Sequence, residues 1–361
     1  MLLYPLIQDD RLELILVTSD AEPIRRTARV SRAELDREIK RFRNALETVY
    51  DPSLDAKDSG QKLYSWLIKP IEDELDRVGA KTILYAPYAQ LRYIPLAALY
   101  DGKKWLVQKY RINNITAASL HDFSLQPQAH QQSILAGAVT RGMNFKIGDR
   151  PFSFAGLPFA RREVETLAQI IPDSTQLFDA DFSPESTRRQ LRSHSLIHLA
   201  THAVFMPGKP EDSFILFGNG DRLTLAGVRD WSLKNVDLVV LSACDTAVGE
   251  ILGNGEEILG FGYLMQQGGA RAAIASLWSV DDGGTQALMD IFYTMLKRPN
   301  ITKAEALRQA QIALITGNYG ALGTEGNRIA RNITNRLPVT VTEYLDHPYY
   351  WAPFIMIGNG L

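Results

Sequence analysis

The sequence predicts an α/β protein whose mostly parallel β-sheet is covered by helices on both faces. Three observations carry that expectation. Runs such as "SILAGAV", "DLVVLSA" and "RAAIASLWSV" are apolar at nearly every position, not at alternate ones, so both faces of each strand are buried. Amphipathic stretches with capping residues separate these runs, which is the rhythm of strand–helix–strand units. The composition, 45% hydrophobic and 22% charged over 361 residues, is that of a globular protein long enough for one large domain or two.

Taken in order, "RLELILVTSD" reads as a strand, and Ser31 as the N-cap of a charged helix, "SRAELDREIKRFRNALETVY". "DPSLDAKDSG" reads as a loop. "QKLYSWLIKPIEDEL" is a second amphipathic helix that Pro70 kinks or divides. "KTILYAPYAQLRYIPLAALY" supplies a short buried strand and a Pro-punctuated irregular segment, "SILAGAV" another strand, and 140–158 a long surface loop. From residue 159 the alternation is regular. "FARREVETLAQII" is a helix, "TQLFDA" a strand, and "SPESTRRQLRSH" a helix with Ser183 at the N-cap and Pro184 at its first position. "LIHLATHA" reads as a strand through His202, "SFILFGNGDRLTL" as a hairpin on an Asn-Gly turn, and "DLVVLSACDTA" as a strand. "EEILGFGYLMQQGG" is a helix closed by glycines, "RAAIASLWSV" a strand, "GTQALMDIFYTMLK" and "TKAEALRQAQIALI" helices, and "APFIMIG" the last strand. A division near residue 130 separates an N-terminal α/β part, 1–130, from a part that carries the chemistry, 131–361.

The formal net charge of −2 points away from a nucleic-acid surface, and no apolar run approaches a membrane span. The start, "MLLYPLIQDD", meets acids too soon for a secretory leader. A single cysteine, Cys244, allows no intrachain disulfide and no thiolate-built zinc site, and fits a reducing cytoplasm. No phosphate loop is present. "GNGEEILG" (253–260) lacks the G-x-G-x-x-G spacing and reads as the loop after a strand, so no cofactor is expected.

Two histidines stand four apart in "LIHLATHAVF". On a helix that spacing would suit zinc, but the run alternates like a strand. There the imidazoles would sit about 13 Å apart, too far to share an ion. No metal is expected. His198, inside the strand, reads as a hydrogen-bonded core histidine. His202 and Cys244 fall at the same end of two apolar strands, where sites of parallel α/β sheets form. If the strands are neighbours, a thiol beside an imidazole yields a thiolate nucleophile, and the backbone N–H groups of Ala203 and Cys244 can hold an oxyanion. A lone cysteine is as a rule a small buried hydrophobe. It is the pairing with His202 that points to acyl transfer.

"HLATHA", "VVLSACDTA", "GEEILGFGYLMQQGGARAAIASLWSVDD" and "HPYYWAPFIMIG" resemble the CHAT domain, with "LYSWLIKPIEDEL" and "YAPYAQLRYIPLAALYDG" similar to its N-terminal half. The resemblance runs from about residue 60 to the C-terminus and is specific in the combination of motifs. It implies a caspase-like cysteine peptidase of the HetF type. His202 would be the base, Cys244 the nucleophile, a protein the substrate, and tetratricopeptide repeats or another regulatory region the upstream partner. The rival reading is a catalytically silent caspase-fold scaffold, which a chemically inert Cys244 would support.

"SLWSVDD" is similar to the "LWDVTD" segment of separases, whose second acid binds a P1 arginine. By that likeness Asp282 is the leading S1 candidate, with Asp281 beside it and Asp245 behind them. A carboxylate accepts the planar guanidinium fork bidentately. Either Asp could instead cap the following helix at Gly283.

Overall fold

The computed structural model describes residues 1–18, 21–51, 53–116, 132–147, 150–206, 211–242 and 256–361. Three antiparallel strands open the chain, β1 (Leu2–Ile7), β2 (Leu12–Thr18) and β3 (Ala21–Ala28). Only β2 is legible in the sequence. Pro5 interrupts the first pattern, and β3, "AEPIRRTA", is the charged, proline-bearing edge of the sheet. Helix α1 (Arg32–Glu47) begins where expected, with Ser31 Oγ accepting from Glu34 N.

Part of the expected loop is helical, because Asp55 caps Lys57 N and starts α2 (Ala56–Leu67) early. Pro70 divides rather than kinks: a 3₁₀ turn over Lys69–Ile71 precedes α3 (Glu72–Arg77). Strand β4 (Thr82–Tyr85) and a run of 3₁₀ turns lead to β5 (Arg111–Asn114), too short and polar to stand out in the sequence.

After β6 (Ile134–Ala138), the stretch read as a surface loop holds a hairpin, β7 (Met143–Ile147) and β8 (Arg150–Phe154). Its phenylalanines explain why it folds. Phe145 stacks on Phe152, and Phe152 and Phe154 pack with Phe214, Val204 and Leu216 in a small core of their own. Next come α4 (Pro158–Ile170), β9 (Ser174–Phe178) and α5 (Pro184–Gln190), the last capped by Ser183.

Strand β10 (Leu196–Ala200) ends before His202, not at it. Thr201 turns out of the sheet, its Oγ bonded to Leu216 O, and the chain enters a small antiparallel sheet of β11 (Ala203–Val204), β12 (Phe214–Leu216) and β13 (Arg222–Thr224). Strand β14 (Leu238–Leu241) and helix α6 (Glu256–Gln267) follow, so the second half of 253–260 is helix rather than loop. β15 (Ala272–Ser276), α7 (Asp282–Leu296), α8 (Lys303–Thr316), α9 (Gly326–Arg336), the short α10 (Val339–Thr342) and α11 (Pro348–Trp351), and β16 (Phe354–Gly358) complete the order.

One eleven-stranded sheet runs β3-β2-β1-β4-β5-β16-β15-β14-β10-β6-β9. Its pairings are parallel except for β1–β2, β2–β3 and β15–β16. The sheet is therefore mostly parallel, as expected. It is also continuous across the two parts: β16 lies parallel to β5 and antiparallel to β15, with Asn114 Nδ2 donating to Met356 O at 3.1 Å.

Candidate active site

β10 and β14 are direct parallel neighbours, with Leu199 opposite Leu241 and Ser242 N donating to Leu199 O at 3.0 Å. His202 and Cys244 each stand three residues beyond that matched pair. Cys244 and Asp245 themselves lie outside the described residues. What the structure fixes is the exit of the chain from β14 at Ser242, at the sheet edge that also carries His202.

His202 is half-buried, and its Nε2 lies 2.8 Å from Ala155 O, just past β8. A carbonyl only accepts, so Nε2 carries the hydrogen and Nδ1 is the basic nitrogen. The Phe154 ring, 4.9 Å away, packs against the imidazole. The Phe-rich hairpin thus fixes the orientation of this imidazole through the Ala155 carbonyl and the Phe154 ring. Ala203 is buried in β11 opposite Ile215. Leu216 N bonds to His202 O, which makes Ala203–Ile215 the non-hydrogen-bonded pair and turns the Ala203 N–H away from β12.

Beneath this edge lies a buried polar cluster. His198 is fully buried, with Nδ1 3.1 Å from Tyr293 Oη and Nε2 2.9 Å from Glu163 Oε1. That carboxylate sits off the ring N–H direction, so the second contact is not an aligned hydrogen bond. Ser242 Oγ donates to the same Oε1 at 3.0 Å. Burial, with Glu163 adding repulsion, pushes the Asp290 carboxyl up to about 8 and the Tyr293 hydroxyl well above its usual value.

The two acids after β15 divide their roles. Asp281 is the N-cap of α7, its Oδ1 accepting from Gly283 N at 2.9 Å and Gly284 N at 3.2 Å. It also lines a cleft of about 570 Å³ with Glu47, Asp51, Tyr50, Tyr349 and Tyr350. The Asp282 carboxylate turns to α4, whose own N-cap residue, Leu157, offers no side-chain oxygen. Asp282 Oδ2 accepts from Phe159 N at 2.5 Å, and Ala160 N also bonds to this carboxylate. Burial and Glu163 nonetheless raise its pKa to about 7. β15 is the strand beyond β14, so both acids leave the sheet at the edge that carries His202.

Arg43 braces this corner, donating to Leu277 O at 2.8 Å and Tyr93 O at 3.3 Å beneath the Trp278 ring. A slightly larger cleft, about 590 Å³, is lined by Asp55, Lys57, Tyr100, Trp105 and His347; it shares Asp51 with the Asp281 cleft and is lined by neither His202 nor Asp281 nor Asp282. Among the described residues no three His, Cys, Asp or Glu side chains converge as a metal would need, and no helix is long and apolar enough to cross a membrane.

The mostly parallel sheet, with His202 just beyond β10, is the fold expected from the CHAT resemblance. The CHAT-domain family model matches residues 57–359, and the chain belongs to that family. No curated protein sequence matches it. Among solved structures it is similar to the Arg-specific cysteine proteinase gingipain R (RgpB), at 11% identity and a TM-score of 0.46 over 91% of this chain and 75% of that one. The complex of the Porphyromonas gingivalis RgpB pro- and mature domains gives 11% and 0.45 over 91% and 76%. The separase of the Saccharomyces cerevisiae separase–securin complex gives 12% and 0.45 over 92% of this chain and 20% of that one.

Sequence reasoning missed Ala155, Glu163, Ser242, Tyr293 and Arg43. For Glu163 a signal exists: it falls among Ala160, Val164 and Leu167 on the buried stripe of α4, where a carboxylate has no solvation. Asp290 stands out likewise inside the apolar run of α7.

Proposed function

We propose that the chain is a cysteine endopeptidase that cleaves protein substrates after a basic residue, Arg before Lys. The observation that supports this reading is the strand register, which pairs Leu199 with Leu241, residues that in sequence precede His202 and Cys244 by three each. In this reading His202 Nδ1 takes the thiol proton, and the Cys244 thiolate adds to the scissile carbonyl. The N–H groups of Ala203 and Cys244 hold the oxyanion. The tetrahedral adduct collapses, the peptide nitrogen leaves with the proton from His202, and water activated by the same imidazole then hydrolyses the thioester.

For the P1 side chain the sequence favours Asp282, while the placements favour Asp281. Asp281 opens on a cleft of carboxylates and tyrosine rings that suits a guanidinium, whereas Asp282 is engaged by the start of α4. We assign Asp281 the direct contact and Asp282 the support of that wall. Asp245 remains a further candidate outside the described residues. The single cysteine suits work in a reducing cytoplasm.

The test is kcat/KM on matched fluorogenic peptides with Arg, Lys, Asp or Leu at P1. Cys244→Ala and His202→Ala should each lose on the order of a thousandfold or more, and the double variant little beyond that. Asp281→Ala should lose about thirtyfold on Arg and far less on Leu. Cleavage by Cys244→Ala at the wild-type rate refutes the peptidase, and a preference for P1 Asp refutes the basic specificity alone.

A further inference from the structure

We propose that Glu163 is the positioning residue of the dyad, holding β14 at Ser242 and β10 at His198 through one buried carboxylate oxygen. This inference rests on the peptidase reading. Glu163 is itself fully buried, and its Oε1 takes both the Ser242 hydroxyl at 3.0 Å and the His198 contact at 2.9 Å. Ser242 stands two residues before Cys244, and His198 four before His202. No lysine or arginine among the described residues forms an ion pair with Glu163. Among the described residues it meets the Ser242 hydroxyl and the His198 ring, one from each of the two strand ends.

The element that carries Glu163 also supports the base from its other side. α4 begins three residues after Ala155, whose carbonyl holds His202 Nε2, and its first turn is bonded to Asp282 beyond β15. A shift of α4 therefore moves the imidazole's orienting group and the anchor of β14 together. A core filled only by apolar contacts would leave the Ser242 hydroxyl unpaired and the strand end free to slide. One oxygen shared between two strands fixes their relative height, on which the nucleophile–base distance depends.

The experiment uses the full chain and two readouts: kcat and KM on a P1-Arg peptide, and the rate of alkylation by iodoacetamide across pH 5 to 9. The single cysteine makes the second a one-site measurement. Glu163→Ala should lower kcat by about tenfold to a hundredfold with KM nearly unchanged, and should shift the alkylation profile. Glu163→Gln keeps an acceptor for Ser242 and should recover most of kcat. Ser242→Ala, which disturbs the fold least, should lose kcat to an extent comparable to Glu163→Ala, and the double variant no more than either alone.

Wild-type kcat and alkylation in Ser242→Ala and Glu163→Gln, with only a lower Tm in Glu163→Ala, overturns the inference and leaves a structural role. Glu163→Gln performing no better than Glu163→Ala also overturns it. A native wild-type chain whose Cys244 resists iodoacetamide overturns the peptidase reading, and the inference with it. A reactive Cys244 whose rate ignores all three substitutions overturns the inference alone.

Discussion

Glu13 and Asp290 are both carboxylates almost wholly covered by the fold, at 5% and 3% exposure, and they are pushed in opposite directions. In the N-terminal half, Glu13 on β2 accepts from Arg25 at 2.6 and 2.7 Å, from Thr27 at 2.8 Å and from Arg11 at 2.6 Å. Hydrogen bonding from Arg25 above all holds its pKa down to about 2. In the other half, Asp290 on α7 has no such partner among the described residues. Burial and Glu163 drive it to about 8, although Arg328, Arg336 and Arg162 pull the other way.

The same contrast separates Glu38, paired with Lys62 at 3.1 Å, from Glu163. One half of the sheet neutralises its carboxylates with nearby cations. The other keeps Glu163, Asp282 and Asp290 close enough for Glu163 to add to burial in raising the pKa of the two aspartates, a pattern characteristic of functional sites.

The pH signs follow. The depressed Glu13 adds stability that is present above its ordinary value of 4.5 and is lost as pH falls toward 2. The raised Asp290 does the reverse. The fold favours its neutral form, an advantage complete below 3.8 and lost as pH rises through about 8.

The sharpest break of this contrast is His198→Ala. It leaves a cavity, an unpaired Tyr293 hydroxyl and a more isolated Glu163, and should cost about 3 kcal/mol in urea unfolding. In the folded fraction the cleavage rate should fall no further than in Glu163→Ala, because His198 is one of the two groups that carboxylate holds; complete loss of cleavage in protein that is folded by circular dichroism would move His198 into the chemistry.

Next in size, Asp290→Asn should flatten the decline of Tm between pH 5 and 8 and raise Tm by a few degrees at the upper end, roughly 2–4 °C for a 1 kcal/mol effect. Parallel Tm–pH curves for wild type and variant would show that Asp290 does not titrate in that window. The smallest effect is expected from Glu13→Gln. It should lower Tm slightly at pH 7 and not at all at pH 2, and a loss that persists at pH 2 would mean packing, not charge, is what Glu13 contributes.

Much of this was legible in the chain. Unbroken apolar strands announced the parallel sheet, Ser31 and Ser183 marked helix starts, and the strands that precede His202 and Cys244 are neighbours as the pattern required, with Cys244 itself outside the described residues. What escaped has physical reasons. Strands β1 and β3 contain proline, β5 is short and polar, and the hairpin's phenylalanines alternate within a stretch whose Gly, Arg and Pro suggest a loop. Partners such as Ala155 and Leu277 act through backbone oxygens, which no residue type encodes. The split of duties between Asp281 and Asp282 depends on Leu157, which cannot cap α4 with a side-chain oxygen, and that helix starts more than a hundred positions before the aspartate that caps it.

Strand β16 carries one last consequence. It lies between β5 and β15, and a ribosome reaches it only after making both neighbours. Until Phe354–Gly358 emerge, the growing polypeptide presents two half-sheets, each with an unpaired rim of backbone amides and carbonyls. Those rims are the surfaces that nascent chains must shield from one another, by chaperone or by speed. The corner beside β15 that carries Asp281 and Asp282 lacks its β16 neighbour until the same moment.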